Sequence, residues 1–123
     1  MSIDKEVIID LSYLKDVASD NVEFMVEMID IFLAQTPEYI NALTEAVEEK
    51  NWKKTAEMAH KIKPTLAFMG VESAKNVMQS IEIRARNEED YEGIVADYAE
   101  MKEIMETIFV KLKEKKKELL AEG

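Results

Sequence analysis

The chain contains one histidine, His60, with Lys61 directly after it, Lys63 three residues on and Pro64 four residues on. An imidazole that keeps one nitrogen unprotonated near neutral pH is a nucleophile, so an accessible histidine can accept an electrophilic group on that nitrogen. If the group is a phosphoryl, the product carries negative charge that is stabilised by a nearby cation. Lys63, at i+3, lies on the same side of a helix as His60 and can reach it, while Lys61 and Lys53 raise the local potential. Between Lys50 and Lys63 there are five lysines against one acid, Glu57, in a chain whose formal charge is −10. A charge cluster of this kind is ordinarily a solvated helix face. Here it coincides with the lone histidine.

Other chemistries lack their residues. No Gly-rich loop and no G-x-x-x-x-G-K-[ST] stretch offers a nucleotide cradle, so no phosphorylation from ATP is expected and the chain reads as a non-enzyme. Glu57-Met-Ala-His60 has the E-x-x-H spacing of di-iron bundles, but that site needs a second such unit and the chain has no second histidine. With no cysteine either, neither a metal site nor a cofactor of its own is expected. Net negative charge argues against nucleic acid and anionic membrane surfaces, which would repel it. No apolar run approaches the roughly 18 residues of a membrane span, and the first residues lack a basic stretch followed by an apolar one. The expectation is a cytoplasmic, monomeric, free-standing protein.

Helices must position these residues. Only three Gly and two Pro in 123 residues leave little turn chemistry for a sheet. A short helix is expected over about 10–18, capped by Asp10 or Ser12, behind an apolar cluster of Ile3, Val7, Ile8 and Ile9. Asp20 and Glu23 form a capping-box pattern that opens a long helix over about 20–50, with the stripe Phe24, Met28, Ile31, Phe32, Tyr39, Leu43, Ala46 and Val47. The stripe keeps its phase across Pro37, which predicts a kink rather than a break. Asn51 caps a third helix, over 52–69, with the stripe Trp52, Ala56, Ala59, Ile62, Leu66 and Met69, and Gly70 terminates it. A fourth spans about 71–87 on Ala74, Val77, Met78, Ile81 and Ala85. The last, over 90–120, carries Ile94, Tyr98, Met101, Met105, Ile108, Leu112 and Leu119. Connections this short make neighbours antiparallel, so the fold class is all-α: an up-and-down four-helix bundle, its end capped by the short N-terminal helix, in one domain over 1–123.

On the third helix His60 falls one 100° step past the buried Ala59, at the edge between core and solvent. Its face holds Lys53, Ala56, Glu57, Lys63, Pro64 and Ala67, where Ala56, Pro64 and Ala67 are small enough to admit a partner. The chain reverses at Gly70, which brings residues about ten beyond it level with His60. Gln79 and Glu82 are therefore the candidates to hydrogen-bond and orient the ring.

Taken together, these residues resemble the histidine phosphotransfer (HPt) domains of two-component phosphorelays. The family's signature, approximately A-H-x-L-K-G-S-S-x-x-L-G, is matched by Ala59-His60-Lys61-Ile62-Lys63 and then by Thr65, Met69 and Gly70. Phe32-Leu33 through Leu43 and the pair Ile81-Glu82 extend the likeness over roughly residues 10–112. The resemblance implies that His60 accepts phosphate from a receiver-domain aspartate and passes it to another receiver, with Lys63 near the phosphoryl group and Glu82 near the ring. It also implies that the partners are response-regulator receiver domains, including those of hybrid sensor kinases, and that magnesium sits on the receiver. The partner surface would comprise Lys53, Glu57, Lys61, Pro64 and Ala67. The chain departs from the pattern at Pro64, which stands where glycine is usual, and at Leu66, which replaces a serine. The alternative is an adaptor that binds a response regulator or another partner helix without taking phosphate.

Overall fold

The computed structural model describes residues 7–122. Five helices follow one another: α1 Ser12–Val17, α2 Val22–Glu48, α3 Trp52–Phe68, α4 Glu72–Arg86 and α5 Tyr91–Glu122. The four long ones form a closed ring in which α2 packs on α3, α3 on α4, α4 on α5 and α5 back on α2. This is the expected up-and-down bundle, with α1 across one end. Ile3, expected in the N-terminal apolar cluster, lies outside the described residues. Among the described residues no helix is long and apolar enough to cross a membrane.

The helix boundaries follow from local chemistry. Asn51 opens α3 by accepting the Lys54 N–H on its side-chain oxygen at 3.0 Å, as the sequence suggested. At the start of α2 the expected cap is displaced by one residue: Asn21, not Asp20, accepts the Phe24 N–H at 3.0 Å. The reason lies in the preceding helix end. The N–H groups of Ser19 and Asp20 close back on Asp16 and Lys15, which puts both residues at positive φ (52° and 63°) and outside the new helix. Asp10 does meet the start of α1, where its carboxylate accepts the Ser12 N–H at 3.0 Å and the Ser12 hydroxyl at 2.6 Å. Pro37 and Pro64 both lie inside unbroken helices.

The core is a set of helical stripes. On α3 the expected residues Ala56, Ala59, Ile62, Leu66 and Met69 are buried, with Trp52 partly covered. On α2 the expected Phe32, Leu43, Ala46 and Val47 are buried, but over the first turns the phase differs from the expected one. Met25, Ile29, Phe32, Thr36, Ile40 and Leu43 are buried, whereas Phe24 and Ile31 are exposed. Both stripes have 3–4 spacing. Because α2 packs against α3 and α5 at once, its buried arc centres between those two neighbours, one residue away from the stripe of largest side chains.

The α3–α4 turn matters most to the site. Gly70, at φ +71°, closes α3 with paired hydrogen bonds, its own N–H to Ala67 and that of Val71 to Leu66, at 3.1 and 2.9 Å. Its carbonyl accepts the Asp10 N–H at 3.2 Å, and a Cβ at this position would lie 1.7 Å from the Asp10 carbonyl oxygen. The segment before α1 is thus seated on the turn, and Tyr13 meets Phe68 edge-to-face at 5.6 Å. The tight reversal sets α3 and α4 side by side. Small buried residues on both, Ala56 and Ala59 on one and Ala74 and Ala85 on the other, allow close approach.

Candidate functional site

The α3–α4 pairing brings one face of each helix to a shared edge of the bundle. His60 stands there with 63% of its side chain exposed, the ninth residue of α3 after its Asn51 cap. Opposite it on α4, Glu82 is flanked by the buried residues Met78, Ile81 and Ala85 and keeps only 8% of its own side chain exposed. The two meet directly, Nδ1 of His60 lying 2.9 Å from Oε2 of Glu82.

A buried carboxylate needs its charge answered, and here three side chains answer it. Oε1 accepts Lys63 Nζ at 2.8 Å. Oε2 accepts Arg86 Nε at 3.0 Å and Nη2 at 2.7 Å, besides the histidine. Burial pushes the Glu82 carboxyl toward the neutral form. Hydrogen bonds from Lys63 and Arg86, the charge of Lys63 and the hydrogen bond from His60 more than offset this, and the pKa falls from 4.5 to about 2. Glu82 is therefore ionised at neutral pH.

An ionised carboxylate can only accept, so Nδ1 of the neutral ring must carry the proton and donate. The ring's lone pair is then left on Nε2. The arrangement thus fixes the tautomer, holds the ring plane from its buried side and leaves a nucleophilic nitrogen on an exposed side chain. As positive charge develops on the ring when Nε2 forms a bond, the Glu82 carboxylate stabilises it through Nδ1–H.

The remaining expected site residues sort by face. Lys53, Glu57, Lys61, Pro64 and Ala67 are all exposed. Ala56, expected to keep the histidine face open, is buried in the helix interface instead, because its side of α3 turns toward the core. Lys61 turns toward α2, its ammonium 5.3 Å from the ring centre of Tyr39. Gln79, one turn before Glu82, is exposed and makes no hydrogen bond to the ring, so of the two candidates on α4 only Glu82 reaches His60. Pro64 also borders a groove of about 380 Å³ between α2 and α3, lined by Met28, Ile31, Phe32, Thr65 and Phe68 among others. Among the described residues no three His, Cys, Asp or Glu side chains gather as a metal-binding group.

Sequence reasoning missed Arg86. Its spacing from Glu82, four residues toward the C-terminus of the same helix, is a favourable orientation for an acid–base pair and was the available signal. Arg84 has no part in the cluster. It pairs with Asp97 at 2.6 Å and Asp90 at 3.4 Å, tying α4 to α5.

Comparison with known proteins gives the family and the fold. The family model for the Hpt domain matches residues 27–111. The phosphorelay intermediate protein rdeA of Dictyostelium discoideum is 29% identical over 108 residues, covering 88% of this chain; the chain spans only 42% of that relative's length. Among solved structures, histidine-containing phosphotransfer protein B from Pseudomonas aeruginosa superposes with a TM-score of 0.79 at 17% identity, covering 89% of this chain and 95% of that one. The HPT domain of a sensor hybrid histidine kinase from Shewanella gives a TM-score of 0.73 at 16% identity, covering 86% and 91%. At these identities the two structures speak to the fold.

Proposed function

This chain belongs to the Hpt domain family, and from that premise we propose that it is a phosphocarrier of two-component signalling whose acceptor atom is Nε2 of His60. The observation that carries the reading is the hydrogen bond between Nδ1 of His60 and the ionised Glu82, 2.9 Å long, on a side chain that is otherwise exposed.

In the proposed step the Nε2 lone pair attacks the phosphorus of an aspartyl phosphate on a receiver domain. The N–P bond forms, the P–O bond to the aspartyl carboxylate breaks, and its electron pair leaves on that carboxylate. The ring keeps its Nδ1 proton, shared with Glu82, and the phosphoryl oxygens gather beside Lys63. Transfer onward to a second receiver reverses the same bonds. The receiver contributes the aspartate and magnesium, while this chain contributes a positioned ring, a carboxylate and a lysine; in phosphoryl transfer, positioning and electrostatics supply most of the catalysis.

The surroundings suit such a partner. Lys53 and Lys61 are exposed on the helix that carries His60 and add positive charge to the face that an acidic receiver site would approach. The groove that starts at Pro64 offers apolar surface one helical turn away. Incubation with phosphorylated receivers tests the reading: acid-labile label should move onto this protein and be lost in His60→Gln. Receiver binding without label on the wild type would instead identify an adaptor.

A further inference from the structure

Glu82 is held by more positive charge than one carboxylate requires. Lys63 and Arg86 both reach it, and they divide its oxygens: Lys63 takes Oε1, while Arg86 places two N–H groups on Oε2, the oxygen that also receives His60. We propose that Arg86 is a positioning residue for phosphotransfer: by anchoring Glu82 on its own, it frees Lys63 to carry its ammonium from Oε1 to the phosphoryl group on His60. The inference rests on His60 being the acceptor.

When the phosphoryl group arrives, the new negative charge lies on the exposed side of the ring, and the cation best placed to meet it is Lys63, three residues from His60 on the same helix. In the structure, however, Lys63 is engaged with Glu82. Were it the sole cation there, its departure would leave a 92%-covered carboxylate with only the histidine donor, and an unpaired buried charge is costly enough to hold the lysine back. Arg86 removes that conflict. A guanidinium stays protonated at any working pH and binds with two donors in fixed geometry, so it keeps Oε2 charged and in place. Because Lys63 is alone on Oε1, its departure leaves the Oε2 to Nδ1 contact undisturbed. Arg86 makes no hydrogen bond to the imidazole itself and acts on it only through Glu82.

The test uses phosphoramidate as a small phosphoryl donor, which needs no receiver. Its P–N bond breaks as the Nε2–P bond forms, and ammonia leaves. Rates are measured for the wild type, Arg86→Gln, Lys63→Ala, the double variant and Arg86→Lys. Arg86→Gln should slow labelling by about tenfold, the factor carried by one charge-assisted hydrogen bond, and Lys63→Ala by about the same. The double variant should be no slower than Arg86→Gln, since without Arg86 the lysine is already withheld. Arg86→Lys should recover most of the rate. The 15N signature of a hydrogen-bonded Nδ1–H should persist in Arg86→Gln, which separates a withheld lysine from a disordered site. Independent, multiplying losses in the double variant, an unchanged rate in Arg86→Gln or loss of the Nδ1–H signature would each overturn the role. No label on the wild type would instead overturn the phosphotransfer reading beneath it.

Discussion

The Glu82 carboxylate accepts the Nδ1–H of His60 at 2.9 Å from a position where only 8% of its side chain meets solvent. One buried acid therefore decides which histidine nitrogen is free. It also decides what Lys63 and Arg86 do before any partner arrives.

That buried charge makes stability depend on acid. The folded-state pKa of Glu82, about 2, lies below its ordinary 4.5, so the folded protein binds fewer protons than the unfolded chain in this window. The group's contribution is present in full above about pH 4.5 and is lost as pH falls toward 2. It amounts to a few kcal/mol, one pKa unit being worth about 1.4 kcal/mol. Urea midpoints measured from pH 6 to pH 3 should fall more steeply for the wild type than for Glu82→Gln; parallel slopes would contradict the ionised, paired state.

Lys63→Ala separates function from folding. Glu82 keeps Arg86 and His60 in this variant, so the stability cost should be about 1 kcal/mol, while transfer from a phosphorylated receiver should slow about tenfold. Unfolding and transfer measured on the same preparation would show the contrast. An unchanged transfer rate would remove Lys63 from the reacting group.

Two turn positions should respond in opposite directions. Gly70→Ala adds a Cβ 1.7 Å from the Asp10 carbonyl oxygen at φ +71°, and strain plus clash should cost about 3 kcal/mol. Glu88, at φ 52° in the turn after α4, carries a left-handed backbone with no glycine to ease it, and Glu88→Gly should gain about 0.5 kcal/mol. Chemical denaturation checks both, and a gain at position 70 or a loss at position 88 would contradict the turn geometry.

Much of this architecture is legible in the chain because α3 and α5 each bury one unambiguous stripe, and Asn51 and Gly70 mark helix ends by their own chemistry. On α2 the pattern is ambiguous: Phe24-Met28-Ile31 and Met25-Ile29-Phe32 have the same spacing, and only the positions of α3 and α5 select the second. Asp20 and Asn21 are both good caps, and the closing turn of α1 settled which one serves. Around His60, level alone could not rank Gln79 against Glu82; the direction of each side chain on α4 does, sending one to solvent and the other toward α3. Arg86 escaped notice because its importance depends on Glu82 being buried, which periodicity gives no reason to expect of an acid.

In the proposed mechanism Glu82 holds the Nδ1 proton and leaves Nε2 of His60 to take the phosphoryl group. NMR of 15N-histidine-labelled protein, before and after phosphorylation by a receiver, tests it most directly. A protonated Nδ1 in the resting protein and 31P–15N coupling at Nε2 afterwards are expected. Coupling at Nδ1, or a resting ring protonated on Nε2 alone, would contradict it.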